Sequence, residues 1–480
     1  MYIYSEEEIR RADKRAEERG LSVATLMENA GRSLYEALAP RITKGQRIAI
    51  LSGAGNNGGD GIVLARYLQH NGYEADLLLP LGAPKTKAAQ VQLQYYRGSG
   101  YEAVDWDKQK RYDVIVDALL GIGARLPLEG IVTEAVKWAN EQEALRIAID
   151  IPTGVTANCG YVEEAFMAHR TFCLHGAKHS AFLEPSAHYY GELEILDIGL
   201  PHEATWKIWT EDDVKNSFPK RPDFSHKGTF KTGLLLAGSD DMPGSMLLAA
   251  LGAMRSGIGK LVIGTTQFAA SIAAARLPEA TYLFNGLEKA ATGYVPEGIK
   301  AAAVGPGLED KEMVERALQH LFLRDIPLIV DAGALHKRRY PRMKAPVVLT
   351  PHPGEFSRMI DMPIWEIQQN RIELASSYAK AHKVIVVLKG RYTVIAFPDG
   401  SGVINPTGNT GLAKGGSGDT LTGMLLAFLC TTGCTKEAVA NAVYIHGFCA
   451  DKWKENKAEA AMLASDISGM LPYIMKEFQG

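Results

Sequence analysis

The sequence predicts an α/β protein made of two parallel-sheet domains in series. Three observations lead there. The chain's 480 residues exceed the size at which a single core stops growing. Short apolar runs alternate with amphipathic stretches in two separate series, the pattern of βαβ units. Between Pro201 and Lys227 that alternation dissolves into Pro, Asp, Trp and Lys. The domains are therefore placed at residues 1–210 and 220–480.

Element by element, Met1 to Gly20 reads as a charged helix, opened by the capping box Ser5-x-x-Glu8 and closed by Gly20. A strand is predicted over residues 47–52, a helix over about 59–71, a strand at 75–79, a helix near 86–98, and strands at 114–117 and 147–150. A strand at 191–200 closes this series. The second series has a strand at 233–237, a helix over about 245–256, and strands at 260–263, 301–304, 328–331, 347–350 and 384–388. Two late helices follow, at about 420–429 and 436–454, each broad and apolar on one side, as packing on a sheet requires.

Composition narrows the function classes. Lys+Arg total 52 against 55 for Asp+Glu, a formal charge of -3, which leaves no electrostatic footprint for nucleic acid or an anionic membrane. Five cysteines without a CxxC pair indicate neither a disulfide framework nor a zinc ribbon, and a reducing cytoplasm fits them. The N-terminal segment has no signal-like apolar core, and no run reaches the ~18 apolar residues of a membrane span. The 48 glycines exceed the usual level of about 7% and suggest ligand-binding loops.

The densest glycine loop is Asn409-Thr410-Gly411-Leu412-Ala413-Lys414-Gly415-Gly416-Ser417-Gly418-Asp419. Glycines let backbone amides close on a ligand, and the following helix N-terminus favours phosphate. A carboxylate there repels phosphate, so Asp419 reads as a base that deprotonates a substrate hydroxyl during phosphoryl transfer. The plainer alternative is an Asp N-cap. No GxxxxGK[ST] occurs, so the nucleotide is not held by a P-loop. Lys389-Gly390-Arg391-Tyr392-Thr393, after a strand, suits a phosphate clamp, or else a charged hairpin turn.

In the first series, Gly53-Ala54-Gly55-Asn56-Asn57-Gly58-Gly59-Asp60-Gly61 formally satisfies GxGxxG between strand and helix. The next strand ends in Leu-Pro rather than an acid, which disfavours ordinary dinucleotide docking. Asp117 and Asp150 stand at two further strand ends. With Asn57 and Thr153 they form an oxygen-rich crevice suited to a hard cation, although each Asp alone is equally readable as a cap or turn former. His175 and His179 do not make a zinc helix, because Gly176 stands where Glu is needed. Lys178 reads as a phosphate or substrate contact.

The stretches Leu26-Met27-Glu28-Asn29-Ala30-Gly31, Asn56 to Gly61, Val116-Asp117-Ala118 and Asp150-Ile151-Pro152-Thr153-Gly154 together resemble the Rossmann-like NAD(P)H-hydrate epimerase domain. That resemblance implies that Asn56, Asn57, Gly58, Gly59 and Asp60, the loop Gly121-Ile122-Gly123-Ala124-Arg125-Leu126-Pro127, and Asp150 contact the hydrated nucleotide. It also implies that Asn57, Asp117 and Thr153 hold K⁺. Asp150 is the expected proton-handling group.

From about Ser225 to Phe478 the chain resembles the ribokinase-like NAD(P)H-hydrate dehydratase. The motifs are Met242-Pro243-Gly244-Ser245, Gly305-Pro306-Gly307, Asp331-Ala332-Gly333-Ala334-Leu335 and Thr350-Pro351-His352-Pro353-Gly354-Glu355, with the two loops above. It implies substrate contacts at Gly244, Ala253, Gly307, His352 and Asp419. Nucleotide contacts are implied at Lys389, Gly390, Arg391, Tyr392, Thr393, Asn409, Thr410, Gly411, Lys414, Gly415, Gly416, Ser417 and Gly418, with ADP or ATP as donor and Mg²⁺. Many members of that family read Asp-Ala-Asp-Ala-Leu where this chain has Gly333. NADH and NADPH hydrates are the expected partners, in a homo-oligomer without nucleic acid or membrane. The competing reading is a small-molecule, vitamin-precursor kinase carrying an N-terminal binding module.

Overall fold

The computed structural model describes residues 1–479 and divides into two compact units. One comprises residues 1–207 with 368–370, the other residues 208–367 with 371 onward.

In the first unit, helices α1 (Glu6–Glu18) and α2 (Val23–Leu38) precede an alternating series. It runs β1 (Arg47–Ser52), α3 (Asn56–His70), β2 (Glu74–Leu78), α4 (Lys87–Gly98), β3 (Val114–Ala118), α5 (Gly130–Asn140), β4 (Leu145–Ile149), β5 (Arg170–Leu174) and β6 (Glu192–Leu196). The six strands form a parallel sheet in the order β2-β1-β3-β4-β5-β6.

The pleat sorts its side chains into two cores. Ile48, Ile50, Val114, Val116 and Ile147 pack with Leu34, Ile62, Leu68 and Leu93 of α2, α3 and α4. Ala49, Leu51, Ile115 and Ala148 face the other way, onto Val136 and Trp138 of α5. Each fully buried isoleucine or valine contributes about 2 kcal/mol of transfer free energy. Both faces being covered explains why these strands read as unbroken apolar runs.

The capping box opening α1 is present as the sequence predicts: Ser5 accepts from the Glu8 amide and Glu8 from the Ser5 amide. Helix α3 begins at Asn56, earlier than the apolar pattern implies, so Asn56 and Asn57 lie in its first turn. A short ladder pairs Ile3 with Ala177 and Tyr4 with Lys178, a pairing without a periodicity signal.

The second unit contains β7 (Thr232–Leu236), α6 (Pro243–Arg255), β8 (Lys260–Thr265), β9 (Thr281–Phe284), β10 (Ile299–Val304), α7 (Lys311–Phe322), β11 (Leu328–Val330), β12 (Val347–Leu349) and α8 (Pro353–Ile360). Then come α9 (Arg371–His382), β13 (Ile385–Leu388), β14 (Thr393–Ala396), β15 (Gly402–Asn405), α10 (Ser417–Thr431), α11 (Thr435–Lys454) and α12 (Ala464–Gln479). Within this unit the strands lie in the order β9-β8-β7-β10-β11-β12-β13-β14-β15, parallel through β13 and antiparallel beyond.

Helix α10 is apolar all round and buried from Thr420 to Cys430. It meets α6 at backbone contact distance: a Cβ on Gly423 would lie 1.8 Å from the Ala249 carbonyl oxygen, and one on Gly252 2.4 Å from that of Thr420. Helix α12, with Pro472 inside it, is a third late helix beyond the two the sequence pattern shows. Among the described residues no helix is long and apolar enough to cross a membrane.

Candidate active sites

At the C-terminal strand ends of the first sheet opens a cavity of about 440 Å³. Asn56, Asn57 and Asp60 reach it from α3, Gly121 to Ala124 from the loop after β3, Asp150 from the end of β4, and Asp13 from α1. Asp150 has a left-handed backbone (φ 66°). Its Oδ1 accepts from the Leu174 amide at 3.1 Å and from Lys178 Nζ at 2.5 Å. Lys178 is fully buried and also donates to the Gly176 carbonyl. The lysine predicted as a phosphate contact is thus the counter-ion of Asp150, placed by the ladder with residues 3 and 4.

The cavity gathers three carboxylates. Desolvation, then the charges of Asp150 and Asp13, raise the Asp60 carboxyl well above its ordinary range. Desolvation and Asp150 also raise Asp13, against the lowering effects of Lys178 and Arg10. A carboxyl raised by burial and an ion-paired carboxylate therefore share one pocket, the arrangement that divides acid from base roles.

Several predicted contacts lie elsewhere. Gly58 and Gly59 are buried in packing: a Cβ on Gly58 would meet the Gly53 carbonyl oxygen at 2.0 Å, and one on Gly59 the Met27 sulfur at 2.3 Å. They let α3 approach β1 and α2 rather than line the cavity. Leu126 and Pro127 border a separate depression of about 360 Å³, and Arg125 lines neither.

Asp117, Thr153 and Asn57 do converge. Asp117 is completely buried; its Oδ1 accepts from Thr153 Oγ1 and the Leu119 amide, and its Oδ2 from the Thr153 amide. Asn57 Nδ2 donates to the Leu120 carbonyl, and Thr153 Oγ1 accepts from the Leu120 amide. Desolvation pushes the Asp117 carboxyl up to about 6 despite these donors. Asn57 Oδ1 takes no hydrogen bond from the described residues, while the oxygens of Asp117 and Thr153 are each engaged within the cluster.

In the second unit, Asp419 is the third residue of α10, whose N-cap is Gly416 in a left-handed conformation (φ 93°). It is therefore not an N-cap itself. Desolvation raises its carboxyl to about 6; a hydrogen bond with Ser245 and the charge of Lys389 pull it down, while Asp331 and Glu355 push it up. Lys389 Nζ donates to Asp331 Oδ1 at 3.1 Å, and Asp331 Oδ2 accepts from Thr422 Oγ1 at 2.6 Å. Burial alone would lower the Lys389 ammonium, but Asp331, then Glu355 and Asp419, hold it above the usual lysine range. The ammonium would lie 3.3 Å from a Cβ at Gly418, beside the first turn of α10.

The two predicted nucleotide loops are tied together. Arg391 Nη1 donates to the Pro406 and Gly408 carbonyls. Beneath Gly390 lies the guanidinium of Arg371, buried and bonded to the Leu388 and Lys389 carbonyls. No motif marks Arg371 in the sequence. Tyr392 stacks under Arg391, and Thr393 Oγ1 donates to the Gly390 carbonyl.

Asn409 bridges Asp451 and the Gly411 amide, Thr410 donates to Glu459, Lys414 donates to the Ala460 carbonyl, and Ser417 Oγ to that of Leu412. Gly415 stands in open space. The loop is thus a braced cradle before a 15-residue helix.

On the substrate side, Gly244 lies in the open first turn of α6, and Gly307 (φ 66°) abuts Ser245 and Gly238. His352 caps α8: its Nδ1 accepts from the Gly354 and Glu355 amides, and Nε2 of the half-exposed ring lies 3.5 Å from Glu355 Oε1. Ala253 corrects the expectation, since it is wholly buried where α6 packs on α10.

Gly333 has a packing reason. A Cβ there would lie 1.9 Å from the Leu308 carbonyl oxygen. Gly333→Asp is expected to destabilise the chain by about 1–3 kcal/mol, as overpacking does. Thermal unfolding reads this directly, and an unchanged Tm would contradict it.

The folds and sites define an enzyme with two active centres, one in a dinucleotide-fold unit and one in a phosphotransfer-type unit. Residues 23–180 match the family model described as YjeF-related protein N-terminus, and residues 233–473 the one described as NAD(P)H-hydrate dehydratase. The chain is 34% identical to the bifunctional NAD(P)H-hydrate repair enzyme Nnr of Thermofilum pendens, covering 98% of this chain and 95% of that protein. It is 53% identical to the ADP-dependent (S)-NAD(P)H-hydrate dehydratase of Bacillus subtilis, over 57% of this chain and 99% of that one. A crystal structure of the B. subtilis ADP/ATP-dependent dehydratase, co-crystallised with ATP/Mg²⁺, superposes with TM-score 0.56 at 52% identity, covering 57% of this chain and 98% of that one. The chain belongs to the family of bifunctional NAD(P)H-hydrate repair enzymes.

Proposed function

We propose that this chain repairs hydrated nicotinamide coenzymes: residues 1–210 interconvert the C6 epimers of NAD(P)H hydrate, and residues 220–480 dehydrate the S epimer to NAD(P)H at the expense of ADP or ATP. The observation that carries the reading is Asp419, a carboxyl raised to about 6 on the first turn of a glycine-fronted helix beside Lys389.

At the second site, Asp419 takes the proton of the C6 hydroxyl as its oxygen attacks the terminal phosphoryl group. Helix and loop amides with Lys389 spread the charge on the transferred group. The ring nitrogen's lone pair then expels phosphate, and loss of a C5 proton restores the dihydropyridine. His352, Gly244 and Gly307 border the substrate. Asp331 and Glu355, whose charges lie near Lys389, are the residues that would hold a Mg²⁺. When bound, the ion neutralises phosphate charge.

At the first site the reacting carbon is a hemiaminal. Asp150 accepts the hydroxyl proton, the C6–N1 bond opens to an aldehyde, and Asp60 supplies a proton to N1. Rotation and reclosure on the other face give the second epimer, with both protons returned. Asn57, Asp117 and Thr153 would hold K⁺, which screens phosphate and ring dipoles at the crevice. The five unpaired cysteines and the small-molecule substrates suit a cytoplasmic enzyme.

The test supplies mixed NADH-hydrate epimers with ADP or ATP and Mg²⁺, once in K⁺ and once in Na⁺ buffer. Reduced-nicotinamide absorbance should recover completely, with phosphate released and the slower, epimerisation-limited phase retarded in Na⁺. Accumulation of a phosphorylated product without recovery would instead make the second unit a small-molecule kinase.

A further inference from the structure

Lys389 is aimed by its backbone. It follows β13, its amide donates to the Pro351 carbonyl at 2.9 Å, and its ammonium reaches Asp331 Oδ1 at 3.1 Å. The carbonyl side of the same residue is held by Arg371, the first residue of α9, which is 3% exposed. Arg371 Nη2 donates to the Leu388 carbonyl at 2.8 Å and to the Lys389 carbonyl at 3.0 Å. Successive carbonyls of an extended strand point to opposite sides, so two that converge on one nitrogen mark a bend in the chain. The guanidinium holds that bend at the residue whose ammonium lies beside the first turn of α10.

A guanidinium suits this task. It stays charged when buried, and its planar fork sets several N–H donors in fixed directions, bonding carbonyls more strongly than a neutral donor does. Gly390 is shaped around it: a Cβ there would lie 2.4 Å from Arg371 Nη1 and 2.5 Å from Nη2. The φ of Gly390 is not positive, so the missing side chain answers this close approach rather than a need for backbone freedom. A shift of ~1 Å in a group that stabilises a transition state costs about 10²-fold in rate.

We propose that Arg371 is a positioning residue for dehydration, fixing the Lys389 ammonium where it meets the phosphoryl group in transfer. This rests on the role of Lys389 in phosphoryl transfer. In dehydration of the S epimer of NADH hydrate with ATP and Mg²⁺, Arg371→Gln should lower kcat about tenfold or more while the hydrate KM stays within about twofold. Arg371→Lys, which keeps the charge and an N–H donor, should restore part of the loss. Epimerisation by the same chain should be unchanged. Gly390→Ala should reproduce the defect by pushing the guanidinium aside.

A double-mutant cycle separates positioning from a general loss of structure. Lys389→Met removes the group through which Arg371 acts, so adding Arg371→Gln to it should cost less than about twofold more. Arg371→Gln at the wild-type kcat, or a loss that multiplies fully with that of Lys389→Met, would overturn the inference alone. Where the glutamine variant does not fold, Gly390→Ala decides by the same two outcomes. A Lys389→Met enzyme at the wild-type kcat would overturn the role of Lys389 and this inference with it.

Discussion

Asp419→Asn is expected to lower the turnover of coenzyme regeneration by about 10²–10⁴-fold, the range a positioned base supplies. Nucleotide affinity should stay near the wild-type value, because the loop, Lys389 and the helix amides are untouched. Asn keeps the shape of the side chain and can still bond Ser245. The fold should not suffer. A carboxyl whose native value is raised to about 6 is penalised for ionising, so it subtracts from stability as pH rises through that value. A neutral amide removes the penalty. The same number sets the pH profile. Below about 6 the base is protonated and idle; above it the carboxylate is available, so wild-type kcat/KM should rise through that region and level off. The Asn variant should lack the rising limb.

Asp150→Asn should cut epimerisation by about 10²–10⁴-fold and leave dehydration intact. The choice of Asn is dictated by two features. Asp150 has φ 66°, a conformation Asn tolerates where most residues do not. Lys178 is fully buried against it, so an alanine would strand an ammonium and cost about 3–5 kcal/mol. Asn still offers Lys178 and the Leu174 amide an oxygen. A loss of epimerisation with an unchanged unfolding temperature therefore reports on proton transfer rather than on the fold.

Much of this was legible in the chain because doubly covered parallel strands are apolar runs that stop abruptly, and Asp117, Asp150 and Asp331 mark where they stop. The glycine loops before α3 and α10 were legible for the same reason: they interrupt the pattern with residues of special conformational freedom. What stayed hidden depends on residues far apart in sequence. Asp13 comes from the amphipathic first helix and carries no signal of its cavity position. The pairing of Lys178 with Asp150 requires the ladder between residues 3–4 and 177–178. Arg371 supports the Lys389 loop from a helix start 18 residues earlier in the chain. Ala253, Gly58 and Gly59 have packing duties that composition does not separate from ligand contact. The start of α3 was misplaced because Asn and Gly are poor helix formers that tertiary contacts hold in place.

The division of labour between Asp150 and Asp419 is tested most directly by the amplitude of coenzyme recovery from an equal mixture of the two NADH-hydrate epimers, with ADP or ATP and Mg²⁺ present. Wild type should restore the whole mixture. Asp150→Asn should restore rapidly only the S fraction and then stall to the uncatalysed rate, and Asp419→Asn should restore almost none. Full recovery at the wild-type rate by either variant would contradict the account.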